Sequence, residues 1–87
     1  MNKRTEAFYE KALKLQHESG NYITLALKSL LLEKGISEDF ADRFDISLLH
    51  GGEDCVMMDG ETFMQGMDLN RLDKMSKEEI YKLNPSK

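Results

Sequence analysis

The side chains best suited to covalent chemistry stand together in His50-Gly51-Gly52-Glu53-Asp54-Cys55. A thiolate at Cys55, a base at His50 and an orienting carboxylate at Asp54 would form a nucleophilic set. Neighbours in one loop rarely converge in that way, because such partners usually come from distant segments. Cys55 therefore reads first as a structural cysteine in a strand, and a small thiol enzyme through Cys55 and His50 ranks last among the functional readings. The other histidine, His17, falls near the C-terminal end of a helical pattern, where a cation is mildly favoured.

Other chemistry finds less support. Zinc sites need cysteine or histidine pairs at short spacing, and the chain has one cysteine and two histidines. Asp59-Gly60-Glu61 lacks the alternating oxygen ligands of a calcium loop. Gly51-Gly52 is not followed by the Lys-Ser or Lys-Thr that opens a helix under a phosphate. No catalytic residue, metal or cofactor is expected. His50-Gly51-Gly52 resembles the oxyanion loop of lipases and esterases, but the nucleophile elbow of that family is missing and the chain is too short for its fold. A second reading takes Tyr9, Tyr22, Lys28 and Arg43 as stacking and phosphate contacts of an oligomeric small-ligand or nucleotide binder.

The charge distribution favours a third. Net charge is −4 over 87 residues. The first 35 residues carry a net +2, residues 36–70 a net −8 with Arg43 their one cation, and the remainder +2. An acidic belt between mildly basic ends lacks the cation clusters that displace counterions from nucleic acid. Beside the belt, five of the six methionines fall between positions 57 and 75. Methionine fills irregular core gaps and also adapts to partners on binding surfaces. The leading expectation is a non-enzymatic cytoplasmic regulator or inhibitor that binds another protein. Its surface would join Cys55, Met57 and Met64 to Glu38, Asp39, Asp42, Asp45, Glu53 and Asp54. The expected partner has a basic surface or is the cytoplasmic segment of a membrane protein. Nucleic acid and direct membrane insertion are not expected; a homodimer is the other use of the same surface. Short, acidic, catalytically empty chains are common among phage and plasmid accessory proteins.

The elements that must position these residues form one domain. A chain this long buries roughly 60–65% of its unfolded surface, enough for one modest core. No run of about 18 apolar residues is present, and no signal-peptide core follows the basic start. Residues 5–19 read as an amphipathic helix through Phe8, Ala12 and Leu15, with Gly20 as its stop and Asn21 as the next cap. The second helix, Tyr22 to Lys34, is apolar on two sides: Ile23, Ala26, Leu27, Leu30 and Leu31 form one face, and Leu25 and Leu32 lie well round from it. It needs two covers. From Phe8 to Leu31, with its Gly20-Asn21-Tyr22 turn, the rhythm resembles one helical hairpin of a tetratricopeptide repeat. Its spacing from the turn to Ala26 is a residue longer, and a single copy implies an αα-hairpin only.

The expected architecture is α+β: an αα-hairpin over 5–34, a short helix over 37–44, a β-hairpin or small antiparallel meander over 45–67, and a C-terminal helix over 76–84. Asp59-Gly60 between apolar runs signals a type I′ turn, pairing Met58 with Glu61 and Met57 with Thr62. Ser76-Lys77-Glu78-Glu79 is a capping box, with Asn84-Pro85 as the stop.

Overall fold

The order of elements follows the α+β expectation, with boundaries moved where local capping and tertiary contacts intervene. The computed structural model describes residues 1–14, 19–48, 53–62 and 67–83. Helix α1 spans Lys3–Lys14, starting two residues earlier than expected. The cause is Asn2, whose side-chain oxygen accepts from the Thr5 N–H at 2.9 Å, as an N-cap does. Helix α2, Ser19–Glu33, includes Gly20 and Asn21 in its first turn, so these two neither stop one helix nor cap the next. Leu15 and His17 lie outside the described residues.

Helix α2 carries the core. Ile23, Ala26, Leu27, Leu30 and Leu31 are fully buried, and each buried Leu or Ile contributes about 1.5–3 kcal/mol of transfer free energy. The helix packs against α1 and against two later elements, helix α3 (Glu38–Ala41) and strand β1 (Phe44–Leu48). It ends where expected, with Gly35 at φ 82°. The Ile36 N–H reaches back to the Leu31 carbonyl and the Gly35 N–H to that of Leu32, both at 3.0 Å. This double closure needs a residue comfortable at positive φ, and Ile36 buries itself beside it.

Ser37 caps α3 by accepting from the Phe40 N–H. The helix is shorter than the 37–44 expected, because Phe44 starts β1 instead. Phe44 stays inward, 3% exposed, through strand alternation and not as part of a helix face. β1 pairs antiparallel with β2 (Asp54–Met58), which pairs antiparallel with β3 (Glu61–Thr62), in the order β1-β2-β3. Residues 44–48 thus form the third strand, with Phe44 opposite Met58 and Ile46 opposite Val56. Asp59 at φ 53° and Gly60 at φ 80° form the primed turn, and the register pairs Met58 with Glu61 and Met57 with Thr62 as expected. Alternation places Phe44, Ile46, Val56 and Met58 in the core, leaving Asp45, Ser47, Cys55 and Met57 on the opposite face.

Two short helices close the fold. The Val56 N–H donates to the Met67 carbonyl at 3.1 Å, and Asp68 caps helix α4, Leu69–Lys74. Helix α5, Lys77–Tyr81, has the expected capping box complete, with the Glu79 N–H on the Ser76 hydroxyl and the Ser76 N–H on the Glu79 carboxylate. It ends three residues before position 84, with Lys82 as its C-cap; Asn84 and Pro85 lie outside the described residues. Leu69, Leu72 and Ile80 bring both helices onto the common core. The Met1 amine sits 2.9 Å from the Asp73 carboxylate, and the backbone N–H of Asn2 donates to Glu33.

Candidate functional site

Strand β2 bears the thiol and its proposed orienter at adjacent positions, and a strand turns neighbours to opposite faces. The half-buried Asp54 carboxylate accepts the Tyr9 hydroxyl at 3.0 Å and the Leu69 N–H at 2.6 Å. Leu69 opens α4, so its N–H is one of the donors a helix start leaves without an internal acceptor. Asp54 therefore joins α1, β2 and α4 and is directed away from Cys55. Burial, the Asp54 charge and the hydrogen bond to it together push the Tyr9 hydroxyl up to about 12. Two residues expected in different sites thus meet in one structural joint. His50, Gly51 and Gly52 lie outside the described residues.

The cations of the ligand-binding reading are engaged separately. Lys28 on α2 donates to the Ala41 carbonyl at 3.2 Å and to Asp42 at 2.9 Å, at the C-terminal end of α3 where a cation is favoured. Arg43 forks onto Asp59, with Nε–Oδ1 at 3.1 Å and a terminal nitrogen 2.5 Å from Oδ2, while its guanidinium lies 5.4 Å from the Phe40 ring centre. Its backbone carbonyl also accepts the Asp59 N–H. The fork holds the Asp59 carboxyl below its ordinary range and pins the tip of the hairpin to the start of β1. Tyr22 carries the Lys11 ammonium 5.3 Å from its ring centre. Tyr9, Tyr22, Lys28 and Arg43 thus have four different partners and do not converge on one.

The residues of the protein-binding reading divide more evenly. Cys55 and Met57 are half-buried on the outer face of the sheet, with Asp45 opposite Met57 and Ser47 opposite Cys55. Glu38, Asp39, Asp45 and Glu53 are exposed. Asp42 is exposed but paired with Lys28, and Asp54 belongs to the joint just described. Met64 lies outside the described residues. Among the described residues no group of three His, Cys, Asp or Glu side chains could hold a metal ion, and no helix is long and apolar enough to cross a membrane.

A further surface lies on α2. The side bearing Leu25 and Leu32, for which the sequence asks a second cover, is open among the described residues, with the two leucines 44% and 51% exposed. They border a groove of about 430 Å³ whose other walls include Asn2, Arg4, Phe8, Lys28, Ser29 and Glu33. The seven-residue interval from Leu25 to Leu32, two turns of one helix face, was its sequence signal. Its α1 wall could not be read so easily, because Thr5 sets the helix pairing. That fully buried hydroxyl lies 2.8 Å from both Ser29 Oγ and Glu33 Oε2. No family model, no curated protein and no solved structure matches this chain.

Proposed function

We propose that the chain is a non-enzymatic cytoplasmic regulator or inhibitor, of the kind carried as phage and plasmid accessory proteins, that acts by binding another protein through the outer face of its sheet. The observation that carries this reading is the division of β2. Val56 and Met58 are completely buried, whereas Cys55 and Met57 on the other side keep part of their surface open. A flexible, polarisable side chain at that place adapts to an apolar counterpart. Asp45 stands opposite Met57, and Asp45, Glu38, Asp39 and Glu53 are exposed and without an ion pair among the described residues. A partner with a basic rim about an apolar centre fits this arrangement, and the acids would hasten encounter more than deepen affinity. Cys55 is unpaired, in keeping with a reducing compartment.

The test is capture of a defined partner on immobilised wild-type chain, compared with Met57→Glu and with Asp45→Lys. Recovery should fall with added salt and fall further in both variants while their melting temperatures stay near wild type. Folded variants that retain the partner in full would remove the sheet face from the proposal.

A further inference from the structure

The groove between α1 and α2 is a different surface, and its chemistry is opposite to that of the sheet. Its floor is apolar: Leu25 and Leu32 from α2 and the half-buried Phe8 from α1. The two leucines stand seven residues apart, about 10.5 Å along the helix axis. That is the spacing of i and i+7 on a second helix laid alongside. The groove's acid, Glu33, is already held by the Thr5 hydroxyl and the Asn2 N–H, with the Met1 amine 3.9 Å away. Lys28 stretches out of the groove toward Asp42, leaving its apolar stem along that rim.

The α1 rim is basic. At about 100° per residue, Arg4 and Lys11 fall within an arc of roughly 20° whose near edge is about 40° round from Phe8. Glu6 and Glu10 lie roughly 120° or more round from Arg4 by the same arithmetic. Arg4 and Lys11 are not paired with carboxylates among the described residues; they lie over the rings of Phe8, at 5.9 Å, and Tyr22, at 5.3 Å. An apolar floor with a one-signed edge selects its occupant. A second copy related by a two-fold axis, laying its own α2 antiparallel on this stripe, would bring one basic α1 edge against the other. A helix with apolar residues at i, i+3 or i+4 and i+7, and acids along one side, meets no such repulsion.

We propose that this groove is a docking site for an acidic amphipathic helix of a partner protein, read by Phe8, Leu25 and Leu32 for its apolar stripe and by Arg4 and Lys11 for its charge. The site stands independently of the sheet face: Leu32→Glu would disable the groove alone and Met57→Glu the sheet alone.

The probe is a synthetic helical peptide with leucines at i, i+3 and i+7 and glutamates along one edge, compared with the same peptide carrying lysines there. Fluorescence anisotropy should show saturable binding of the glutamate peptide to the wild-type chain. Binding should weaken at least roughly tenfold with the lysine peptide, in Leu32→Glu, and in the double variant Arg4→Glu with Lys11→Glu, a loss of about 1.4 kcal/mol or more each. Leu32 is half exposed, so circular dichroism of Leu32→Glu should match wild type; Leu25→Glu serves as a second variant. Equal binding of the two peptides, no binding of either, or full retention by both leucine variants would overturn the proposal. So would a wild-type dimer in sedimentation that Leu32→Glu dissociates, or association with phosphatidylserine vesicles in place of the peptide.

Discussion

The two sides of this small domain treat their polar groups differently. Around the sheet, charged and phenolic groups work as fasteners: Asp54 ties α1 to α4, Arg43 ties the hairpin tip to β1, and Lys28 ties α2 to α3. On the open side of the helix pair, Arg4 and Lys11 rest on aromatic rings and apolar surface is left bare. A chain of this length has apolar material for one modest core. It closes the face where strands and short helices can reach α2 and leaves the face that only α1 borders. Asp54, Arg43 and Lys28 are thus found holding the fold together, while plain leucines make up the exposed face of α2.

Helix α2 contains both sides within one element, so the largest effect tests the contrast directly. Leu30→Ala removes a fully buried side chain and should destabilise by about 2–5 kcal/mol in urea unfolding. Leu32→Ala, two residues on and 51% exposed, should change stability by less than about 0.5 kcal/mol. Comparable losses at the two positions would mean that the Leu32 face is covered in solution.

The next largest effect separates a fastening acid from a rim acid. Asp54→Ala strands the Leu69 N–H and the Tyr9 hydroxyl and should cost about 1–3 kcal/mol. Asp45, whose contact is with the N–H of its own neighbour Ile46, should tolerate Ala within about 0.5 kcal/mol. If Asp45→Ala proved the more damaging, the division between the sheet's two kinds of acid would be wrong.

How far the sequence could be read follows the same division. Local signals survived folding: the Asp59-Gly60 turn and its register and the Ser76–Glu79 box each rest on a few consecutive residues. The buried face of α2 was equally plain in its periodicity. Errors arose where a distant contact decided. Phe44 reads as the end of a helix until Met58 lies opposite it, and Gly20 reads as a stop until the helix that contains it is seen. Asp54 looked like part of a solvated belt because Leu69, 15 residues on, and Tyr9, 45 residues back, are its partners. The groove was half legible: Leu25 and Leu32 announced themselves, while the basic wall required knowing which edge of α1 turns toward them.

Turn strain gives a smaller, local effect. Gly60 has nothing within 4 Å of the place a Cβ would occupy, so Gly60→Ala tests backbone strain alone at φ 80°. A loss of about 1–2 kcal/mol is expected, measured by thermal melting, with the β2–β3 register unchanged. Gly35→Ala should behave similarly, because the nearest atoms there are the flexible Lys77 side chain at 3.7 Å. A negligible loss at Gly60 would mean that the primed turn is not held in solution.

The smallest effect compares two tyrosines whose hydroxyls face opposite kinds of partner. Tyr9 donates to a carboxylate in a half-buried joint, and its folded value of about 12 lies above the ordinary 10. Its contribution is therefore complete below pH 10 and is lost as pH rises toward 12. Tyr81 instead accepts the Ser37 N–H at 2.8 Å, which favours the phenolate and lowers its value. Its contribution has the other sign, present above pH 10 and lost as pH falls through its depressed folded value. Urea midpoints measured from pH 8 to 12 should fall less steeply above pH 10 for Tyr9→Phe than for wild type. In Tyr81→Phe, the small gain approaching pH 10 should disappear. Parallel curves for Tyr9→Phe and wild type would mean that its hydroxyl faces water and that Asp54 binds α4 alone. The junction of α1 with the sheet would then rest on packing, and the fastened side would differ from the open side by less than the hydrogen bonds imply.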